Sequence, residues 1–453
     1  MTMLYWSAAN AQPPTVLYKA GDQIPDGSET ALIARTTSIG AQGQGCIATV
    51  ELIRPYGPTA LIGIVNPNSP QLLVRPSQPP TADVPWIAGL DPHCALGTSE
   101  ATAFSAWIAN RPGGALESLP GFLDSVWTHT SSGNALVVIT GSALPSSMGP
   151  GYWTYHATAQ PTPEAGLLWR AGLSDTAGGL SLESALCLSA GGECKVILTR
   201  GMPLGRGLAV AADHGLGTFA APPSASHLVA LVRTRSDQKD AGAVVRARTG
   251  SSPAVETLVA QGDPAAGVTG RFWRRFYLPL ASDRATCGSV GSWACGADMS
   301  APAHRDSALL LDGAIVHREG DTVDGFTLIG PPLAGAMNGH GDIAIAWAAR
   351  AAGHACPLLM FNGQVVLRAG DTAYDAGVAR TVLGVQPLVA LGTPTDLAPG
   401  VPIYVIADLD VGGARVAGVV QLVLSGHPQA GCNPDLTQDG SVDQDDVYFL
   451  IGS

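Results

Sequence analysis

The sequence predicts an all-β protein assembled from repeated units, and three observations lead to this prediction. The chain has 453 residues, more than one hydrophobic core usually supports, so it needs two domains or a repeat architecture. Charged residues are only 13%, beside 56 glycines and 34 prolines, a composition that suits short strands and tight turns rather than helices. Finally, one apolar segment with a characteristic turn recurs along the chain.

The charge balance and the hydropathy argue against two classes of protein. The net charge is −12, whereas a nucleic-acid surface needs clustered lysines and arginines. No run of 18 apolar residues occurs, so no membrane span is expected. We therefore expect no nucleic-acid partner and no membrane-spanning segment.

The recurring segment is an apolar strand that ends in a Gly-Asp step or a related turn. The clear copies occupy 16–22, 257–263, 315–321 and 365–371, and the weaker copies occupy 72–78, 136–142 and 196–202. The turn glycine of each copy, replaced by Pro76 in one, serves as a landmark. The landmarks are about 58 residues apart on average, a period that indicates a repeated supersecondary unit.

Turn residues place each landmark strand in a hairpin. Asn362-Gly363 and Asp312-Gly313 each lie just before a landmark strand, and such pairs favour two-residue hairpin turns because both positions need a positive φ. The first arms are then 308–311 and 358–361.

A second element about 20 residues after the best landmarks completes each unit. It is clearest from Asn338 to Ile345, where a polar turn and Gly341 lead into an alternating strand, and it is similar at 42–49 and 97–104. Each unit then holds about four strands.

The two ends of the repeat region complement each other. The strand at 16–19 has no first arm, and the segment at 419–424 has no second arm. Pairing them would close a ring, which protects sheet edges as in β-propellers. We predict a seven-bladed β-propeller of four-stranded blades over 15–426. The alternatives are an open row of β-units or two sandwich domains.

The Asn338, Gly341 and Ala344 pattern and the Gly-Asp steps resemble bacterial secreted proteins with NxxGxxAF-type tandem repeats, over roughly residues 15–425. Ile345 stands where that family usually has Phe, and most units lack the Asn. The resemblance implies a repeat architecture and secretion, and no assigned activity.

The tail at 427–453 contains a candidate calcium loop, residues 435–446. Its side-chain oxygens have the spacing of an EF-hand-type loop, in which Gly440 allows the sharp turn and Ser441 offers its carbonyl. The predicted Ca²⁺ ligands are Asp435, Thr437, Asp439, Ser441, Asp443 and Asp446. The segment resembles one half of a type I dockerin, with Asp446 at the last ligand position. The alternative is an acidic, solvated tail.

The cysteines and the N-terminus favour an extracellular or cell-surface protein. Eight cysteines, an even number, indicate an oxidising compartment. Residues 1–14 resemble a residual leader, because Ala9-Asn10-Ala11 is similar to a signal-peptidase site; the alternative is a plain ragged N-terminus. The predicted disulfides are Cys187–Cys194 and Cys287–Cys295, with Cys46–Cys94 and Cys356–Cys432 as a guess. Buried free thiols are the alternative.

The Gly-Asp aspartates and one aromatic segment are the remaining candidates for a site. Asp22, Asp263, Asp321 and Asp371 either line a channel or, as we prefer, cap local turns. The aromatic residues Phe272, Trp273, Phe276 and Tyr277 adjoin Arg271, Arg274 and Arg275. This segment is either a carbohydrate- or partner-binding patch or an ordinary blade strand.

Known catalytic motifs are absent from the sequence: it has no GxGxxG after a strand, GxxxxGK[ST], HExxH or GxSxG. Our main hypothesis is therefore a secreted, non-catalytic binding or surface module with a carbohydrate or a cell-surface protein as partner. The alternative is a secreted polysaccharide-acting enzyme, a glycosidase or lyase, on a propeller scaffold.

Overall fold

The chain folds into a seven-bladed β-propeller in a computed structural model. The structure describes residues 12–425 except for 27–28, 43–44, 54–58, 65–69, 75–85, 91–95, 98–101, 110–121, 163–165, 177–182, 191–192, 212–215, 223, 236–239, 250–253, 285–290, 301–304, 352 and 394–399. The tail with its predicted calcium ligands lies outside this range. Within the described part, no helix is long and apolar enough to cross a membrane.

Blades 1 to 3 follow one another along the chain. Blade 1 consists of β2 (Gln23–Asp26), β3 (Glu29–Gln42), β4 (Gly45–Ile53), β5 (Thr59–Ile64) and β6 (Pro70–Val74). Blade 2 consists of β7 (Trp86–Leu90), β8 (Leu96–Gly97), β9 (Thr102–Ala109), β10 (Phe122–Thr130) and β11 (Gly133–Ile139). Blade 3 consists of β12 (Tyr152–Pro161), β13 (Leu167–Ser174), β14 (Glu183–Ala190) and β15 (Glu193–Thr199), after a short 3₁₀ turn at Ser146–Met148.

Blades 4 to 7 repeat the plan. Blade 4 consists of β16 (Pro203–Gly205), β17 (Leu208–Val210), β18 (Leu216–Ala220), β19 (His227–Arg235), β20 (Asp240–Arg248) and β21 (Val255–Ala260). Blade 5 consists of β22 (Trp273–Ala281), β23 (Trp293–Met299), β24 (Ser307–Leu311) and β25 (Ala314–Arg318). Blade 6 consists of β26 (Thr322–Val323), β27 (Phe326–Met337), β28 (Ile343–Ala351), β29 (His354–Phe361) and β30 (Gln364–Leu367). Blade 7 consists of β31 (Thr372–Asp375), β32 (Val378–Leu391), β33 (Gly400–Val411), β34 (Ala414–Ser425) and β1 (Gln12–Lys19).

Blade 7 confirms the predicted ring closure. Strand β1 pairs antiparallel with β34, with Val16 opposite Val420 and Lys19 opposite Gly418. The first described strand of the chain therefore forms the outer strand of the last blade, as the unpartnered segments at 16–19 and 419–424 predicted.

The landmark strands are the outermost strands of the seven blades, namely β1, β6, β11, β15, β21, β25 and β30. The predicted hairpin turns are also confirmed, because Asn362 and Gly363 have φ values of 48° and 83°, and Asp312 and Gly313 have 48° and 84°. Turn chemistry was a reliable guide here because few residue pairs adopt two successive positive φ angles.

The strand after each Asn- or Gly-containing turn is present, but the predicted alternation of buried and exposed residues is wrong. In β28 the first five residues, Ile343 to Trp347, are all buried, and β4 begins with six buried residues. These are the second strands of their blades. Because a neighbouring blade covers each face, both sets of side chains are buried.

The core is divided among the interfaces between blades. The described residues form seven hydrophobic clusters, and each cluster joins two successive blades around the ring. The first long strands of neighbouring blades contact one another, for example β27 with β32 and β22 with β27. These innermost strands therefore surround the propeller axis.

The predicted disulfide Cys187–Cys194 is not formed, whereas Cys94, Cys287 and Cys432, the predicted partners of three further cysteines, lie outside the described residues. Cys46, Cys187, Cys194, Cys295 and Cys356 are all free thiols. Cys194 faces Ser189 rather than Cys187 in the β14–β15 ladder, so the two thiols are diagonal neighbours. Cys46, Cys187 and Cys295 are buried free thiols, as the alternative hypothesis predicted.

Candidate functional site

The aspartates of the Gly-Asp steps stabilise the turns in which they lie. The side chains of Asp22, Asp263, Asp321 and Asp371 each accept a hydrogen bond from the backbone N–H three residues earlier, at 2.8 to 2.9 Å. Such a bond stabilises the turn between two blades. The preferred hypothesis of turn caps is therefore confirmed, and these carboxylates do not form a ring of ligands.

The Asn338 motif is likewise structural. The carboxylate of Asp342 is fully buried and accepts hydrogen bonds from the amides of Asn338 and Asn362, both at 2.9 Å. The Asn338 side-chain oxygen accepts the backbone N–H groups of His340 and Asp342. The network ties the start of β28 to the hairpin that follows β29.

A different set of residues occupies one equivalent position in every blade. On each innermost strand the pairing register shifts near its beginning, for example between Ile33 and Arg35 in β3 or between Trp273 and Arg275 in β22. Such β-bulges turn the strand locally. In each blade, the residue of the second strand that lies opposite this register shift is here called the rim residue. The rim residues are Glu51, Trp107, Gly172, Arg233, Asp298, Ala348 and Asp408.

The rim residues share their surroundings as well as their register. The residues on either side of each rim residue are buried, as Val232 and Thr234 are beside Arg233. Each rim residue also lies on the blade face that points toward the next blade, because a residue two or four positions earlier packs into that interface, as Leu231 does between blades 4 and 5 and Ala103 does between blades 2 and 3. The sevenfold repetition therefore places them around one mouth of the propeller.

The groove between blades 4 and 5 contains a cleft of about 450 Å³. Three arginines line it: Arg233 from β19, and Arg274 and Arg275 from the bulge of β22. Gly217 and Gly242, which have no side chains, and Phe276 also line the cleft. Arg233 lies on β19 between the residues that pair with β17 and those that pair with β18.

The charge in this cleft is only partly neutralised. Arg275 binds Asp298 at 2.8 Å and lies 5.5 Å from the ring centroid of Tyr277. Arg233 and Arg274 are exposed and form no ion pair with a carboxylate among the described residues. Two exposed guanidinium groups that have no ion-pair partner among the described residues, in a chain of net charge −12, favour the binding of anions in the cleft.

The hydroxyl of Tyr277 is a fixed polar group beside the cleft. Burial raises its pKa, and the nearby Asp298 raises it further. The hydroxyl therefore keeps its proton near neutral pH and donates to Asp298 at 3.2 Å. Ser307 donates to the same carboxylate at 3.0 Å, so Asp298 is held from three sides.

The other rim carboxylates also contact arginines. Arg35 binds Glu51 at 2.6 Å, and Asp408 contacts Arg415 and, at 2.8 Å, the amide of Gln386. These pairs lie in blades 1 and 7. In the groove between blades 4 and 5, by contrast, the described arginines outnumber the described carboxylates.

The predicted aromatic and arginine segment contributes part of this site. Arg274, Arg275 and Phe276 line the cleft, whereas Trp273 is buried and Arg271 donates to the Ser300 carbonyl. The segment is the innermost strand of blade 5. Sequence reasoning missed Arg233 and Trp107, because nothing in the sequence marks the register at which a second strand meets a bulge.

Comparisons with known proteins assign the chain to no family. No family model and no curated protein matches the chain. An α-L-arabinofuranosidase of Fusarium graminearum matches with a TM-score of 0.36 and 10% identity over 91% of this chain and 97% of that one. An α-L-arabinanase of Penicillium chrysogenum matches with 0.36 and 10% over 91% and 98%. A subtype N11 neuraminidase-like protein of A/flat-faced bat/Peru/033/2010 matches with 0.31 and 7% over 92% and 94%. The activities in these names are those of the matched proteins.

Proposed function

We propose that the propeller is a binding module for an acidic polysaccharide, with the cleft between blades 4 and 5 as its anion site. The observation that carries the proposal is the convergence of Arg233, Arg274 and Arg275 on one cleft of about 450 Å³. Guanidinium groups bind carboxylates and sulfates through paired N–H donors. A polymer that bears such groups matches both the charge and the open shape of the groove.

The contacts support binding rather than a nucleophilic step. The cleft offers donors from arginines and an amide from Gln261, and Asp298, the carboxylate bound by Arg275, is also engaged by Tyr277 and Ser307. A site of this kind recognises negative charge, and its affinity decreases as salt screens the charges.

The proposal is tested by titration of the full chain with polygalacturonate, a sulfated glycan and neutral arabinan. Binding of the acidic polymers should fall about tenfold in Arg233→Gln and in Arg274→Gln. The control is Arg248→Gln, which removes an exposed arginine from the opposite end of β20 and should leave affinity unchanged. Equal affinity for arabinan, or full binding by both cleft variants, would overturn the proposal.

A hydrolase acting on the same polymer is the second candidate function. It is favoured by the rim carboxylates Glu51, Asp298 and Asp408, since glycoside hydrolysis uses two carboxyl groups roughly 5–10 Å apart. A reducing-sugar assay distinguishes the candidates: release of product by the wild type, and its loss in Asp298→Asn with binding retained, would establish the enzyme. Binding without product supports the binding module.

We further propose that the protein is exported and that its tail binds Ca²⁺. The tandem-repeat resemblance and the leader-like Ala9-Asn10-Ala11 support export, and the oxygen spacing over 435–446 supports the metal. Calorimetry should detect Ca²⁺ binding to the full chain, and Asp435→Ala with Asp439→Ala should abolish it. An unchanged binding heat in that variant would contradict the ligand assignment.

A further inference from the structure

Trp107 differs from the other tryptophans whose side chains the structure describes. Its side chain is 46% exposed, whereas Trp127, Trp153, Trp169, Trp273, Trp293 and Trp347 are all 6% exposed or less. It lies within a strand, between the buried residues Ala106 and Ile108. Exposing the apolar surface of an indole to water costs free energy, and a ligand that covers the ring removes this cost.

Its position connects it to the arginine cleft. Trp107 is the rim residue of blade 2, in register with Gly89 of the innermost strand. The next rim residue around the mouth is Gly172, and a Cβ there would come within 2.3 Å of the Tyr155 ring, which pairs with it across the ladder. The rim residue after that is Arg233. Three successive blades thus present an indole, a tyrosine ring and a guanidinium group.

We propose that Trp107 is an aromatic platform on which one sugar ring of the bound polymer stacks. The C–H groups on one face of a pyranose pack against the negative face of the indole ring and remove apolar surface from water. The chain would then run along the mouth from blade 2 past Tyr155 to the arginines. This inference rests on the proposed function and assigns the neutral part of the ligand to a named residue.

A sugar fits this surface better than a protein partner does. The other large exposed apolar residues that the structure describes are Ile53, Val137, Phe272, Val316, Leu333, Tyr374, Val378 and Leu383, and the only one in blade 2 is Val137, on the outermost strand. Protein interfaces bury a contiguous apolar centre. A single exposed ring on the rim instead matches a single saccharide face.

The test uses oligogalacturonates of increasing length with the full chain. We expect affinity to rise when the oligomer becomes long enough to reach blade 2 from the cleft, and Trp107→Ala to remove that gain, about tenfold. Trp107→Phe should restore part of it. The control is Tyr374→Ala, which removes an aromatic residue that is 41% exposed in β31 but is not a rim residue.

Fluorescence provides a second readout that folding defects do not imitate. Iodide should quench the fluorescence of Trp107 in the free protein. A bound long oligomer should reduce this quenching, whereas a monosaccharide should not. Unchanged length dependence in Trp107→Ala, or quenching unaffected by bound oligomer, would overturn the platform while leaving the anion site intact. Absence of binding to both polygalacturonate and the sulfated glycan in the wild type would overturn the proposed function itself.

Discussion

Blades 6 and 4 follow the same strand plan but place their polar groups differently. In blade 6 the side chains of Asn338, Asp342 and Asn362 bind one another inside the blade, and the innermost strand β27 is continuous. In blade 4, by contrast, Arg233 is exposed and lines the cleft shared with blade 5. Polar groups that are satisfied internally maintain the fold, and those left exposed are available to a ligand. Four predictions test this division.

The largest effect is expected at the ring closure, which holds blades 6 and 1 together through blade 7. Val16 is fully buried, so Val16→Asp places an unpaired charge in the core and should lower the free energy of unfolding by about 4 kcal/mol. Urea denaturation measures the change. Thr15→Asp, on the same strand but partly exposed, is the control, and equal losses in the two variants would contradict the role of the closure.

Removing the centre of the blade 6 network should be the next largest effect. Asp342→Ala deletes the acceptor for two amide groups, of which that of Asn338 is buried and that of Asn362 is partly buried, and should cost about 3 kcal/mol. The exposed Asp175 provides the control Asp175→Ala. Arg233→Gln in blade 4 should change stability by less than about 0.5 kcal/mol. A stability loss in Arg233→Gln as large as that in Asp342→Ala would remove the distinction between the two blades.

Acid should loosen blade 4 through His227. This side chain is 1% exposed, and burial lowers its pKa, with Arg246 and Arg248 acting in the same direction and Asp283 opposing them. Below the ordinary histidine pKa of about 6.5 the unfolded chain takes up a proton that the folded chain does not, so stability falls as pH decreases through that window. Hydrogen exchange at pH 7 and pH 5.5 should show reduced protection in β19 and β20. His227→Phe should abolish the difference, and a variant with the same acid response would contradict this assignment.

The smallest effect is expected at the turn caps. Asp371→Ala and Asp263→Ala each remove one hydrogen bond to a backbone N–H and should each cost about 1 kcal/mol in thermal denaturation. Affinity for acidic polymers should not change in Asp371→Ala. A loss of binding there would revive the discarded hypothesis of a channel lined by these carboxylates.

Much of the fold was accessible from the sequence because it depends on local turn chemistry. The residue pairs Asn362-Gly363 and Asp312-Gly313 and the Gly-Asp steps located the outer strands, and the unpartnered strand at 16–19 predicted the closure. The burial of β28 on both faces was missed, because it depends on blades far away in the chain. Only part of the candidate site could be predicted from the sequence. Arg274 and Arg275 belong to a recognisable aromatic and arginine segment, whereas Arg233 lies at the same cleft because of strand register and the packing of blade 4 against blade 5.

The insulation of the rim residues has a consequence for how such a protein diversifies. Buried neighbours on both sides, such as Val232 and Thr234 at Arg233, hold the strand in place whatever the rim side chain is. Except at Gly172, where a side chain would meet the Tyr155 ring, a substitution there alters the mouth without disturbing the core, so these blades behave as separately adjustable elements. Selection can then revise what the mouth recognises one blade at a time, and at no stage must it rebuild the ring.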